Sequence, residues 1–158
     1  MSKFEYSVAT KASPALAWLV FSDCHRWNTF ANVYGELRWT DGRPWEPGSR
    51  LQIELLRPVH AVIDHVITTC IPGKSVGWID HAIGVAIAQW VSFEECPGGT
   101  IVRTWGEVMH SGLAIAGHSV EELLASFTRT WYESFRQVCN QLVLPAGEAA
   151  GQPSCCLQ

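Results

Sequence analysis

From Phe4 to Thr10 apolar and polar residues alternate, the period of a half-buried strand. The spacing changes in ASPALAWLVF: Ser13 is placed to cap a helix, Pro14 suits its first position, and Leu16, Leu19 and Val20 share one face. SDCHRWNTF breaks that helix and opens a second short one. A ladder of strands follows, each bounded by turn residues. It runs Glu36–Thr40, Arg50–Leu56, Val59–Ile71, Ser75–His81, Val85–Glu94 and Thr100–Met109. The apolar loop LAIAG then leads to Ser119, where Glu122 completes a capping box. Val120, Leu123, Leu124, Phe127, Trp131, Phe135, Val138 and Leu142 form the buried stripe of one long helix.

Strand, two short helices, six strands and a long helix predict an α+β fold. Its antiparallel sheet carries the helices on one face and curls around the last of them, leaving room for a cavity. At 158 residues the chain suits one domain, over 1–144. Residues 145–158, rich in Gly, Ala and Pro, are expected to form a flexible tail.

Composition narrows the function. A net charge of −4, with 16% charged residues and no basic run, argues against nucleic acid as a partner. Eight Trp suggest a roomy apolar interior, a sticky surface, or both. No signal-peptide core and no membrane-length apolar run is seen, so a cytoplasmic location is expected. The six Cys fit no zinc spacing and read as reduced thiols. No two His share a helix at ligand spacing, so neither a metal nor another cofactor is expected. The terminal CCLQ matches a prenylation box at Cys155, but no polybasic segment precedes it, and Cys155–Cys156 read as thiols of a frayed tail.

Alternation assigns sheet faces. The inward sets are Leu51, Ile53 and Leu55; the odd residues from Val59 to Ile71; Val76, Trp78 and Asp80; the odd residues from Val85 to Phe93; and the even residues from Val102 to His110. The polar residues among them that stand out are His65, Asp80, Gln89, Thr104 and His110. Centring each hairpin on its turn predicts a band of opposed residues, His65–Asp80–Gln89–Gly106, with the glycine leaving space for a ligand. Directly opposed side chains have Cβ atoms about 4.5–5.5 Å apart, near enough to hydrogen-bond. A buried Asp80 needs a partner, which His65 supplies; a self-satisfied polar cluster with no ligand is the plainer alternative to a polar latch or acid–base pair. Phe127 is on the helix stripe, and Trp78 and Trp131 read as core residues that can also wall a pocket. His110 and His118 flank the apolar loop and could frame a mouth, with Leu113 and Ile115 as a lid; solvated loop histidines are the plainer alternative. His25 and His60 read as surface residues. On the outer face the same register aligns Ile79, Trp90 and Trp105, an apolar patch that suggests a partner or a homodimer, unless a loop covers it or a bulge turns one of the three inward.

The chain resembles the SRPBCC superfamily, the polyketide cyclase/dehydrase and lipid-transport family of START-like and birch-pollen-allergen-like proteins. The resemblance lies in ASPALAWLVFSDCHRWNTF with Trp18, Asp23 and Trp27, the PGS at Pro47–Ser49, IPGKSVGW ending at Trp78, and SFEECPGGTIVRTWGEVMHSG from Ser92 to Gly112. It implies a helix-grip fold: a seven-stranded curved antiparallel sheet around a C-terminal helix, enclosing a deep apolar cavity. Members bind lipids, sterols, polyketides or plant hormones, and some catalyse cyclisation or dehydration. The family has no universal catalytic residues, so function rests on the site itself. Three readings stay open. The protein binds a small, mainly apolar ligand (lipid, polyketide or aromatic metabolite), with His65, Asp80 and Gln89 orienting its polar end. Or it is a cyclase, dehydratase or isomerase with His65 and Asp80 as acid and base. Or it is an interaction module, resembling the chaperone-ATPase activators of this superfamily, with Trp90 and Trp105 as contact surface.

Overall fold

β1 (Ser2–Thr10) lies beside β7 (Gly99–Val108), and each later strand pairs with its sequence neighbour: β6 (Val85–Cys96), β5 (Ser75–Ala82), β4 (Ala61–Ile71), β3 (Arg50–Leu55) and β2 (Tyr34–Asp41). The result, in a computed structural model describing residues 2–109, 114–115 and 117–143, is a seven-stranded antiparallel sheet in the order β1-β7-β6-β5-β4-β3-β2. α1 (Pro14–Ser22) and a 3₁₀ helix (Cys24–Thr29) link its two edges. The two-residue strands β8 (Ala114–Ile115) and β9 (His118–Ser119) pair just before α2 (Val120–Gln141). His110, Leu113, Cys155, Cys156 and the rest of 145–158 lie outside the described residues.

The expected caps form. Ser13 Oγ accepts from Leu16 N–H at 3.2 Å. Ser119 Oγ accepts from Glu122 N–H at 3.2 Å, and Glu122 accepts from Ser119 N–H at 3.0 Å. Each bond satisfies a backbone donor that the first helical turn leaves free. α2 is also tied to β1 along its length: Ser2 donates to Glu121, Tyr6 to Glu133, and Thr10 to Asn140, at 2.7–2.8 Å.

The concave face holds the core. Phe21 of α1 sits at its centre, with the rings of Trp18, Trp27, Trp45, Trp78, Phe93, Trp131 and Phe135 at 5.4–6.2 Å. Trp39 packs on Trp45. Most of the tryptophans therefore fill the interior, and Trp90 and Trp105 are left on the other face. Among the described residues no helix is long and apolar enough to cross a membrane.

Some expected core positions differ. Leu19 is 64% exposed and Leu142 49% exposed, because α1 and the end of α2 bury narrower faces than their apolar spacing suggests. Ile71 is exposed at 56%, although it belongs to the inward odd set of β4. A one-residue irregularity between Ile67 and Thr69 reverses the parity, so that Cys70 packs inward beyond it.

Candidate functional site

A cavity of about 130 Å³ lies between the sheet and α2. Phe21, Trp27, Ile53, Ile63, Val85, Ile87 and Phe127 give it an apolar wall. Its polar lining comes from His65, Asp80, Gln89, Tyr34 and Tyr132, with the indoles of Trp78 and Trp131.

His65 is placed mid-strand on β4, between Leu51 of β3 and Asp80 of β5, and is 2% exposed. Its Nδ1 lies 2.6 Å from Asp80 Oδ1. Trp78, two residues before Asp80 and on the same face, donates its indole N–H to Asp80 Oδ2 at 3.0 Å. The Trp78 ring also packs on the imidazole, with centroids 4.7 Å apart. As a carboxylate Asp80 only accepts, so Nδ1 carries the proton, and in the neutral tautomer of the imidazole the lone pair is on Nε2. Nε2 is buried and has no hydrogen-bond partner among the described residues. Trp131 Nε1 is likewise buried and unpartnered.

The register explains which expected neighbours meet. His65 pairs directly with Asp80, and Gln89 with Gly106, as expected. The expected Asp80–Gln89 pair does not form: Asp80 faces Ile87, and Gln89 faces Trp78. The β5–β6 connection is the two-residue turn Ile83–Gly84, with φ of 52° and 72°, which moves the ladder by one pair. Two positive φ values are the signature of a tight hairpin turn, and a β-branched residue there is unusual. Gln89 instead donates to Thr104 Oγ1 at 2.7 Å, and Thr104 donates to the Trp90 carbonyl at 3.1 Å. Thr104 is fully buried and braces Gln89 rather than lining the cavity.

Gly106 does not open space for a ligand. It pairs with Phe4, and a Cβ there would lie 2.7 Å from the Phe4 ring and collide with the Ala88 carbonyl oxygen. The glycine accommodates close packing, and Gly106 is not part of the cavity wall.

Two further residues were not legible as site residues. Tyr34 opens β2, and Tyr132 follows Trp131 on α2, beside the expected stripe. Burial pushes the Tyr34 hydroxyl well above its ordinary range, and the negative charge of Asp80 adds to this. Burial raises Tyr132 too; a hydrogen bond with Thr104 opposes the rise and the Asp80 charge supports it. Both phenols therefore stay protonated in the cavity.

The loop histidines stand apart. His118 is exposed, 3.8 Å from Glu122, and does not reach the cavity. His60 lies 3.8 Å from Glu54 on the surface. His81 faces out. Among the described residues no group of three or more His, Cys, Asp or Glu could hold a metal.

On the outer face Trp90 and Trp105 are directly paired, their rings stacked at 6.4 Å and 19°. Ile79 is not in that row: it pairs with Ala88, and Gly77 faces Trp90. The Trp90 ring lies over Gly77, where a Cβ would come within 2.6 Å of it. Trp105 remains 38% exposed.

No protein-family model matches the chain, and no curated protein matches it. Solved structures do. ZhuI aromatase/cyclase from Streptomyces sp. R1128 superposes with a TM-score of 0.77 at 10% identity, covering 92% of this chain and 98% of its own. A START superfamily protein from Mycobacterium smegmatis gives 0.71 at 16% identity, covering 89% and 99%. Ara h 8.0201 gives 0.71 at 11% identity, covering 87% and 97%. At such identities the likeness concerns the backbone, and with the observed topology it identifies the chain's architecture as the helix-grip fold of the SRPBCC type.

Proposed function

We propose that this protein encloses a small, mainly apolar molecule and holds its one polar group against His65. The observation that carries the reading is the unpartnered, buried Nε2 of His65, on a residue lining an apolar cavity and fixed from behind by Asp80. A polar atom left in that state costs free energy that a ligand hydrogen bond would recover. Size supports one kind of ligand. At about 130 Å³ the space is close to the cavities of about 150 Å³ known to take up benzene. It suits a single ring better than a lipid chain or a fused polyketide.

The test is calorimetric titration with phenol and with toluene, on the native protein and on His65→Leu. Phenol should bind the native protein at least about 10-fold more tightly than toluene, and His65→Leu should abolish that difference. Failure of both molecules to bind would overturn the reading. Native mass spectrometry of freshly purified protein would look for a retained small molecule directly.

A second reading, acid–base catalysis, is favoured by one observation: the 2.6 Å bond that orients His65 Nδ1 towards Asp80 and leaves Nε2 as the proton-transfer atom. One structural neighbour is named as an aromatase/cyclase. Catalysis predicts exchange of hydrogens next to the carbonyl of a bound ketone in D₂O, lost in Asp80→Asn. Binding alone predicts no exchange.

A further inference from the structure

We infer that the ligand is an uncharged single-ring molecule with a hydroxyl at one end and a second oxygen acceptor at the other, of the hydroxyaryl aldehyde or ketone class. The inference rests on the proposed enclosure of a ring-sized ligand and adds its chemistry. It starts from two buried nitrogens without partners among the described residues, on side chains that line the cavity from opposite sides: His65 Nε2 on the sheet and Trp131 Nε1 on α2.

The two make opposite demands. With Asp80 accepting from Nδ1, the neutral tautomer of His65 offers a lone pair at Nε2 and calls for a donor. Indole nitrogen only donates, so Trp131 calls for an acceptor. Both rings flank Trp27, whose centroid lies 6.5 Å from His65 and 5.3 Å from Trp131. A flat ring among these aromatics could present O–H to the sheet wall and a carbonyl to the helix wall.

Charge excludes the anionic relatives of this class. Among the described residues Asp80 is the one carboxylate in the lining, and no Lys or Arg lines the cavity. A bound carboxylate or phosphate would sit in apolar surroundings near Asp80 without a counter-charge. The phenols of Tyr34 and Tyr132 stay protonated, so they add no negative charge and offer further neutral partners. A cationic amine is also poorly served, because both Asp80 oxygens already accept bonds from His65 and Trp78.

The experiment is isothermal titration of the native protein with 4-hydroxyacetophenone, phenol, acetophenone and 4-hydroxybenzoate at neutral pH. The hydroxyketone should bind at least about 10-fold more tightly than either phenol or acetophenone, the increment of one added hydrogen bond. The benzoate anion should bind at least about 100-fold more weakly than the hydroxyketone. Trp131→Phe keeps an aromatic ring on Phe135 but removes the N–H, and should weaken the hydroxyketone more than phenol and so erase its advantage. The native selectivity series stands even if that variant folds poorly. Equal affinities for phenol and hydroxyketone, or tight binding of the anion, would overturn this inference and leave the enclosing function intact. If neither phenol nor toluene binds, the enclosing function fails first and takes the inference with it.

Discussion

His65 Nδ1 and Asp80 Oδ1 meet at 2.6 Å across directly paired positions of β4 and β5, with Trp78 holding the other carboxylate oxygen at 3.0 Å. Each Asp80 oxygen thus has a defined donor, and the imidazole has a defined tautomer. That arrangement makes a partly buried carboxylate the support of a buried imidazole on a residue that lines the apolar cavity.

Asp80→Asn should reverse the tautomer at constant volume. The amide oxygen can still accept from Trp78, while the amide nitrogen donates to His65 Nδ1 and forces the proton to Nε2. The variant should bind phenol about 10-fold more weakly, because Nε2 no longer accepts, and should lose about 1–3 kcal/mol of stability. Imidazole ¹⁵N shifts read the tautomer directly. An unchanged tautomer in the variant would show that Asp80 does not set it.

Ile83→Asn should stabilise the protein. Ile83 adopts φ 52° and is 53% exposed, so it combines left-handed strain with little burial. Left-handed backbone costs an ordinary L-residue about 1–2 kcal/mol, and Asn tolerates it far better at this turn position. After the loss of some rim contact, a gain of about 0.5–1 kcal/mol is expected from the urea midpoint.

Much of the architecture was legible because short-range chemistry decides it. Ser13 and Ser119 cap their helices, and turn residues bound each strand, as the sequence implies. The site was harder, because it depends on register summed over several turns. His65 does face Asp80, but for two offsetting reasons. The β4–β5 turn has three residues, Pro72 to Lys74, one more than a Pro72–Gly73 centre assumes, and the bulge near Thr68 takes up the difference. No such compensation follows Ile83–Gly84, so Asp80 meets Ile87 and not Gln89. Tyr34 and Tyr132 escaped notice because they approach the cavity from a strand start and from beside the apolar stripe, where periodicity carries no signal. The role of Gly106 depended on the Ala88 carbonyl of β6 and on Phe4, a residue more than a hundred positions away.

Gly106→Ala tests that last point. A cavity-lining glycine would accept a methyl group with little change. A Cβ at Gly106 would collide with the Ala88 carbonyl oxygen and lie 2.7 Å from the Phe4 ring, so this glycine cannot. The variant should lose about 1–3 kcal/mol, the usual cost of overpacking. Phe4→Leu should relieve part of that loss, and non-additivity of the double variant in urea unfolding would establish the contact.

Stability should fall at alkaline pH through two buried thiols. Burial pushes Cys24 from its ordinary 9.0 up to about 11, and Cys139 from 9.0 up to about 12. Cys24 is 1% exposed and Cys139 fully buried, so the folded state disfavours both thiolates. A folded pKa above the unfolded one leaves stability intact below pH 9.0 and removes it as the pH climbs towards 11 and 12. The folded state binds more protons across that window, which fixes the sign. The loss should reach about 1 kcal/mol per thiol one pH unit above the unfolded value. Two measurements check it. Unfolding midpoints should drop between about pH 8 and pH 10, and less steeply in Cys24→Ala/Cys139→Ala, even though that variant starts lower through lost packing. Iodoacetamide at about pH 8 should label Cys70 and Cys96, which are partly exposed, well before Cys24 and Cys139. Equal labelling of all four would mean that the two core thiols are not sealed in the folded protein.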